Sequence, residues 1–183
     1  MSADRETVAL VGDVWCDVDQ FLRLSSSESG PSSALSALTE AVELYRGDFL
    51  TGFSLSDCPD YDDWQFFQAE GLRQQFGQTL ERLINLHISR TDYEIAIDYC
   101  RRWISLDPLH EPPHQLLIQL YAWHGQRAAA IRQYETCLRL FEEELGIPPS
   151  AETERLYTAV KANSLKAPDV HAKLPGVDAK FEK

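Results

Sequence analysis

The sequence predicts an all-α fold of stacked helical hairpins with a short N-terminal β-hairpin remnant. Apolar residues recur at the three- and four-residue spacing of amphipathic helices along most of the 183 residues. When the chain is aligned with itself about 34 residues out of register, Ile84 and Ala96 fall on Ile118 and Ala130. The first residues carry β-prone runs instead, so strands are expected there.

The self-similar stretch runs from Gln78 to Pro149 and has the period of a helix-pair repeat. Tetratricopeptide repeats are ~34 residues long and place small residues where two helices approach closely. Ala96 and Ala130 are such residues, and Tyr134 falls at an aromatic position of the same pattern. The stretch is therefore predicted to be a tetratricopeptide-like stack of two helical hairpins.

The N-terminal segment, residues 1–16, is predicted to be strand-like. Residues 7–11 and 14–16 are short β-prone runs, and the turn signal Gly12-Asp13 separates them. Because two strands alone are barely stable in water, the segment is interpreted either as the remaining edge of a neighbouring domain or as a hairpin that needs another surface to lie on.

Two amphipathic helices are expected next. Asp17 is the expected N-cap of the first, and residues 25–33 form a polar break after it. The second helix is predicted to run from about residue 33 to residue 46 and to end at Gly47. Residues 49–55 then form a linker so apolar that it is expected to lie tucked against the helices.

A long helix is expected from Pro59 to about Ser89. Its length suits either one helix or two helices joined near Gly71 or Gly77. Its aromatic stripe is predicted to face the core, because apolar residues at helical spacing usually point inward. The stripe consists of Trp64, Phe67 and Phe76.

Four further helices are predicted, over residues 92–106, 113–123, 127–145 and 150–164. Proline or glycine follows the first and third of them, which is a usual signal for the end of a helix. The tail, residues 166–183, is predicted to be disordered or to be a linker.

Composition argues against several classes of function. The net charge of -12 and the pI near 4.8 argue against direct DNA binding, which needs a basic face. No apolar run approaches the ~20 residues of a membrane span, and the sequence has no signal-peptide pattern. The four cysteines form no CxxC pair, so we expect no zinc site, no disulfide framework and a reducing cytoplasm. Cys100 and Cys137 are predicted to be buried and inert.

One short motif invites interpretation as a metal site. Residues His110 to His114 read His-Glu-Pro-Pro-His and match the HExxH pattern of zinc proteases. That chemistry needs continuous helix through the motif, and Pro113 and Pro112 are predicted to keep Glu111 out of helical conformation. We therefore expect no metal, no cofactor, no catalytic residue and no enzyme activity.

Acidic residues crowd two stretches, 57–63 and 142–144. Such runs are either solvated surface or a surface for a basic partner, and both interpretations stay open.

The partner surface is predicted to be the groove that stacked repeats build from their first helices. Amide side chains beside an exposed aromatic suit hydrogen bonding to a peptide. The groove positions of the tetratricopeptide pattern correspond to Gln78, Glu81, Asn85, Gln115, Gln119 and Trp123. The alternative is that the last helix of the chain, residues 150–164, fills this groove.

Several motifs together resemble the bacterial transcriptional activator domain of regulators of the antibiotic-regulatory-protein type. They are the stretches 45–53, 106–114 and 143–149. The resemblance covers roughly residues 17–162, and the domain is assigned to residues 17–165.

The resemblance implies a regulatory, protein-interaction domain of a transcriptional activator. DNA binding would reside in a preceding winged-helix domain, of which residues 1–16 would be the last hairpin. The partners it implies are other domains of the same regulator, the transcription machinery or a second protomer, and neither DNA nor a membrane. A general helical-repeat scaffold serving another assembly is the alternative function.

Overall fold

The computed structural model describes residues 2–3, 8–9, 12, 14–26 and 31–168, and these residues are mostly helical. Seven helices and two short strands occur within these ranges. The helices α1 to α7 span Asp17–Ser25, Pro31–Leu44, Pro59–Ser89, Tyr93–Leu106, Glu111–Trp123, Arg127–Leu145 and Ala151–Lys161. The strands β1 (Ser2–Ala3) and β2 (Val8–Ala9) pair antiparallel.

The chain forms two compact units, Met1–Thr79 and Leu80–Lys183, and the boundary between them falls inside α3. In the first unit, α1 packs against α2. In the second unit, α5 packs against both α4 and α6, and α7 packs against α5 and α6. Consecutive helices after α3 therefore form the antiparallel hairpins that short connections produce.

The core of the first unit joins α1, α2 and the second half of α3. Its buried apolar side chains are Phe21, Ala34, Leu38, Ala41, Val42 and Phe76. Phe76 stacks on Tyr45 with ring centroids 4.1 Å apart. The buried hydroxyls of Ser25 and Thr79 hydrogen bond to each other at 3.0 Å. Within the first unit, these contacts fix α3 to α1 and α2 at Phe76 and Thr79.

The second unit confirms the internal repeat, because equivalent residues are equally buried. Ala96 and Ala130 have no exposed surface. The equivalent pair Ile84 and Ile118 is likewise fully buried. The small side chains of Ala96 and Ala130 let neighbouring helices approach closely, as the spacing predicted.

The two hairpins of the second unit also share a turn. The connections after α3 and α5 each contain one left-handed residue, Thr91 with φ 61° and Gly125 with φ 76°. The N–H of Asp92 donates to the carbonyl of His87 at 3.0 Å. In the same way, the N–H of Gln126 donates at 2.7 Å to the carbonyl of the residue five positions before it. This is the usual left-handed end of a helix, and only glycine adopts it without strain.

Several predicted helix boundaries lie close to the observed ones, and three are corrected. The N-cap of α1 is Cys16 rather than Asp17, which is the first helical residue. Helix α5 begins at Glu111, two residues earlier than predicted, because a proline in the first helical turn lacks only an N–H that has no partner there. Helix α7 ends at Lys161 rather than near Ser164. Helix α3 is continuous over its whole length.

The prediction that the aromatic stripe of α3 lies in the core is wrong for its first two members. Phe76 is buried, but Trp64 is 46% exposed and Phe67 is 69% exposed. The linker before α3 is likewise more exposed than expected, with Phe53 at 52%. Helical spacing shows which side chains share a face, but it does not show that another element covers that face.

The prediction for the N-terminal strands is also corrected. The paired residues are Ser2–Ala3 and Val8–Ala9, whereas residues 14–16 form no strand. Residues 7, 10, 11 and 13 of the predicted hairpin lie outside the described residues, as do residues 169–183 of the predicted tail. A hairpin remnant of a preceding domain is therefore not shown.

Candidate protein-interaction site

Four of the six predicted groove residues surround one shallow depression in the second unit, here called the amide depression. Its volume is about 180 Å³. It is lined by Glu81, Asn85, Trp103, Pro112, Gln115, Leu116 and Gln119. The structure thus brings together polar side chains that the repeat pattern had placed on two separate helices.

Helical geometry explains this convergence. Glu81 and Asn85 are four residues apart on α3, as are Gln115 and Gln119 on α5, so each pair lies on one face of its helix. Trp103, which is buried, adds an apolar surface from α4. Among the described residues, the side chains of Glu81, Asn85 and Gln119 have no hydrogen-bond partner. They remain able to bind a polar group supplied from outside.

The other two predicted groove residues do not line the depression. Gln78 is exposed and belongs to the first unit. Trp123 is half-buried beside Tyr93, with ring centroids 6.2 Å apart, and its Nε1 is buried without a hydrogen-bond partner among the described residues. The expectation of an exposed aromatic in the groove is therefore wrong for Trp123, because Tyr93 from the neighbouring hairpin covers it.

The last helix contacts one wall of the amide depression. The side-chain amide of Gln115 donates to Thr153 Oγ1 at 2.9 Å and to Ser150 Oγ at 3.3 Å. Glu111 Oε1 accepts the backbone N–H of Ser150 at 2.7 Å and also the hydroxyl of Thr153. Residues 150 and 153 therefore hydrogen bond to Gln115, whereas Asn85 makes no hydrogen bond to them among the described residues.

The pKa of one carboxylate in the second unit is lowered, whereas the pKa values of two buried thiols are raised. Burial opposes ionisation of Glu111, but hydrogen bonds from Thr153 and Ser150 outweigh it, so the pKa of Glu111 is lowered. Burial raises the pKa of Cys100 to about 12. Burial, together with the negative charge of Glu111, raises the pKa of Cys137 to about 12. Both thiols are buried, as predicted, and a thiol with so high a pKa is a poor nucleophile.

The HExxH histidines have separate roles in the structure. His110 precedes α5 and packs on Trp103, with ring centroids 5.7 Å apart. His114 is buried in the first turn of α5, and burial lowers its pKa. Both of its ring nitrogens are occupied, with the carbonyl of Pro108 at 2.9 Å and Gln133 Nε2 at 2.9 Å. In the described part of the chain, no three metal-ligating side chains are grouped.

The first unit carries a second depression, of about 360 Å³, which sequence reasoning did not predict. It lies between α1 and the loop after α2, and its lining includes Phe21, Tyr45, Asp48, Phe49 and Leu50. Burial and the nearby Asp48 carboxylate raise the pKa of Tyr45 to about 12. Its only sequence signal is the Tyr-Arg-Gly-Asp motif at residues 45–48, which identifies the loop but not the cavity.

The stacked hairpins define an all-α helical-repeat domain. The chain matches the sequence model of the bacterial transcriptional activator domain over residues 16–161 and belongs to that family. It is thus a regulatory domain of the transcriptional-activator type. Comparison with curated proteins finds no match. None of the helices described here is long and apolar enough to cross a membrane.

Proposed function

We propose that this chain is the protein-interaction domain of a bacterial transcriptional activator and acts beside a winged-helix DNA-binding domain. The observation that carries the proposal is the amide depression, an uncommitted polar surface within a domain of the activator family. In this proposal the chain has no enzyme activity and needs no cofactor. It works in the cytoplasm, where bacterial DNA and its transcription machinery are found.

The size of the amide depression favours a protein partner. Sites for small molecules usually enclose ~300 to 1,000 Å³, whereas this depression has about 180 Å³. A space of that size fits one or two side chains of a partner. The amides of Asn85 and Gln119 supply both donors and acceptors, which suits hydrogen bonding to a peptide backbone.

The negative charge of this chain favours DNA binding by another domain. Two of the arginines that could contact phosphate, Arg101 and Arg127, are engaged within the fold. Arg101 donates to the hydroxyl of Tyr121 at 2.8 Å, and Arg127 donates to the carbonyl of Val160 at 3.0 Å. A net charge of -12 leaves the rest of the chain repulsive to phosphate.

The finer features of the proposal follow from the family. In this proposal the hairpin stack is tetratricopeptide-like, and the paired strands β1 and β2 belong to the last hairpin of the preceding winged-helix domain. Partners of the amide depression are other domains of the same regulator, the transcription machinery or a second protomer. The domain proper covers residues 17–165.

A tethering experiment tests this proposal. The chain is fused to a heterologous DNA-binding domain that does not activate transcription by itself, and transcription is measured from a promoter carrying its operator. We expect the fusion to raise transcription, and we expect the double variant Asn85→Ala with Gln119→Ala to lose most of the increase. Gln74→Ala, an exposed amide of α3 outside the depression, is the matched control and should behave like wild type.

Two outcomes would contradict the proposal. A fusion that leaves transcription unchanged, although it is folded and occupies the operator, would favour a general helical-repeat scaffold. Full activation by the double variant would show that the amide depression is not the contact surface.

A further inference from the structure

Most of the large apolar side chains that reach solvent in the described residues belong to the first unit. In that unit they are Val14, Trp15, Leu22, Leu50, Phe53, Leu55, Trp64, Phe66 and Phe67. The corresponding set in the second unit is Ile95, Leu109, Leu145 and Ile147. Where exposed apolar side chains form one contiguous surface, that surface usually marks an interaction site.

The first half of α3 carries three exposed aromatic rings. Trp64 is 46% exposed, Phe66 is 60% exposed and Phe67 is 69% exposed. The rings of Phe66 and Phe67 meet edge to face with centroids 5.7 Å apart. Trp64 and Phe67 are three residues apart and therefore lie on the same side of the helix. We call these three residues and the neighbouring loop, 49–55, the aromatic surface.

The loop of the aromatic surface is held in place by α3. Phe49 packs edge to face on Trp64, with centroids 5.5 Å apart, and Phe53 does the same on Tyr61 at 5.7 Å. Gln65 Nε2 donates to the carbonyl of Leu50 at 3.0 Å. Because these contacts fix the loop before any partner arrives, binding there costs little ordering entropy.

The aromatic surface is continuous with the 360 Å³ depression of the first unit. Phe49 and Leu50 line that depression, and both belong to the loop. Arg73 pairs with Asp48 at 2.8 Å and holds the rim of the depression against α3. Exposed rings beside a preformed pocket are the usual arrangement for receiving an anchor side chain of a partner.

The charges around the aromatic surface are predominantly negative. Between residues 46 and 73 the acidic residues are Asp48, Asp57, Asp60, Asp62, Asp63 and Glu70, and the basic residues are Arg46 and Arg73. Asp60, Asp62 and Asp63 each precede an exposed ring by four residues on α3, so a carboxylate lies one turn from every ring. Arg73 is already paired with Asp48 and Glu70. A partner therefore meets apolar rings within a negative field.

We infer that the aromatic surface binds an amphipathic protein segment whose apolar face covers Trp64, Phe66 and Phe67 and whose lysines or arginines meet the surrounding aspartates. Helical segments of this kind dock through apolar anchors at helical spacing. A second copy of the chain is disfavoured, because each copy carries a net charge of -12 and would bring its own aspartates against like charge. This surface shares no residue with the amide depression.

Fluorescence anisotropy with a model peptide tests the inference. The probe is a fluorescein-labelled amphipathic helix built from leucine and lysine, titrated with the full chain at about 150 mM salt. We expect saturable binding that Phe66→Ala with Phe67→Ala weakens about tenfold or more, as expected when central aromatic anchors are lost. The control Ile95→Ala with Leu109→Ala removes exposed apolar residues of the second unit and should change binding less than about twofold, since these residues belong to neither surface.

A charge swap tests the electrostatic part of the inference. Asp62→Lys with Asp63→Lys should weaken binding of the leucine–lysine peptide and create binding of a leucine–glutamate peptide. Equal binding of both peptides by the wild type would overturn the inference, as would binding that Phe66→Ala with Phe67→Ala leaves unchanged. The inference would also be overturned if the wild-type chain dimerised in sedimentation experiments and the aromatic variant did not, because the surface would then bind a second copy.

The variant Asn85→Ala with Gln119→Ala should bind the peptide normally. Failure of the inference can thus be distinguished from failure of the proposed function.

Discussion

The close helix contact at Ala130 gives the most direct test of the fold. Ala130 has no exposed surface, and its helix packs against both α5 and α7. A leucine at this position adds three carbon atoms where the neighbouring helices leave no room. Extra volume in a packed core typically costs ~1 to 3 kcal/mol. For a chain of this length, that loss corresponds to a fall in Tm of about 2 to 12 °C.

Thermal unfolding followed by circular dichroism measures this effect. Ala128→Leu is the matched control, because Ala128 is exposed on the same helix and alanine and leucine have similar helix propensity. The control should unfold within about 2 °C of the wild type, since surface substitutions are usually within ~0.5 kcal/mol. Ala96→Leu, at the equivalent position of the other hairpin, should behave like Ala130→Leu. An unchanged Tm for both buried variants would refute the close contacts on which the repeat rests.

Three further predictions concern the turns, the last helix and the histidines. Thr91→Gly should raise Tm, because it removes a β-branched side chain from a position with φ 61°. Gly125→Thr should lower the free energy of unfolding by about 1 to 3 kcal/mol, because it places a β-branched side chain at φ 76°; the same thermal unfolding measures both variants. Glu111→Gln should destabilise the chain at pH 7 and make its stability less dependent on pH in the acid range. Because the folded pKa of Glu111 is lowered, the contribution of Glu111 is complete above the unfolded pKa of about 4.3 and is lost as the pH falls through the folded pKa; urea unfolding at neutral and acidic pH would measure this loss. Purified protein should contain no stoichiometric zinc by elemental analysis; one zinc per chain that His114→Ala removes would contradict the assignment of that ring to the hydrogen bonds of the core.

The sequence was most informative where one spacing determined both secondary structure and packing. The repeat predicted the equivalence of Ala96 and Ala130, because a small residue is needed wherever two helices approach closely. The helices α4 and α6 were placed to within a residue by their flanking signals, an aspartate before the first and Gly146 after the second. Four of six groove residues converged, because positions four apart on a helix share a face.

The failures have a common physical origin, which is that local patterns do not specify what covers a surface. Trp64 and Phe67 follow the spacing of a core stripe, yet no described element buries them. Trp123 follows the spacing of an exposed groove residue, yet Tyr93 lies beside it. The role of Glu111 was missed because its partners in α7 are distant in sequence. Such contacts emerge only from tertiary packing.

The central claim is that this domain acts through protein contacts and leaves DNA to another domain. A fluorescence-anisotropy titration of labelled duplex with the chain alone, at about 150 mM salt, tests it most directly. The account predicts no saturable binding, because nonspecific affinities of even ~10⁻⁴ to 10⁻⁶ M require several basic residues on one face. Saturable micromolar binding that is weakened by Arg132→Glu with Arg139→Glu, two exposed positions of α6, would contradict the claim and make the domain itself a DNA-binding module.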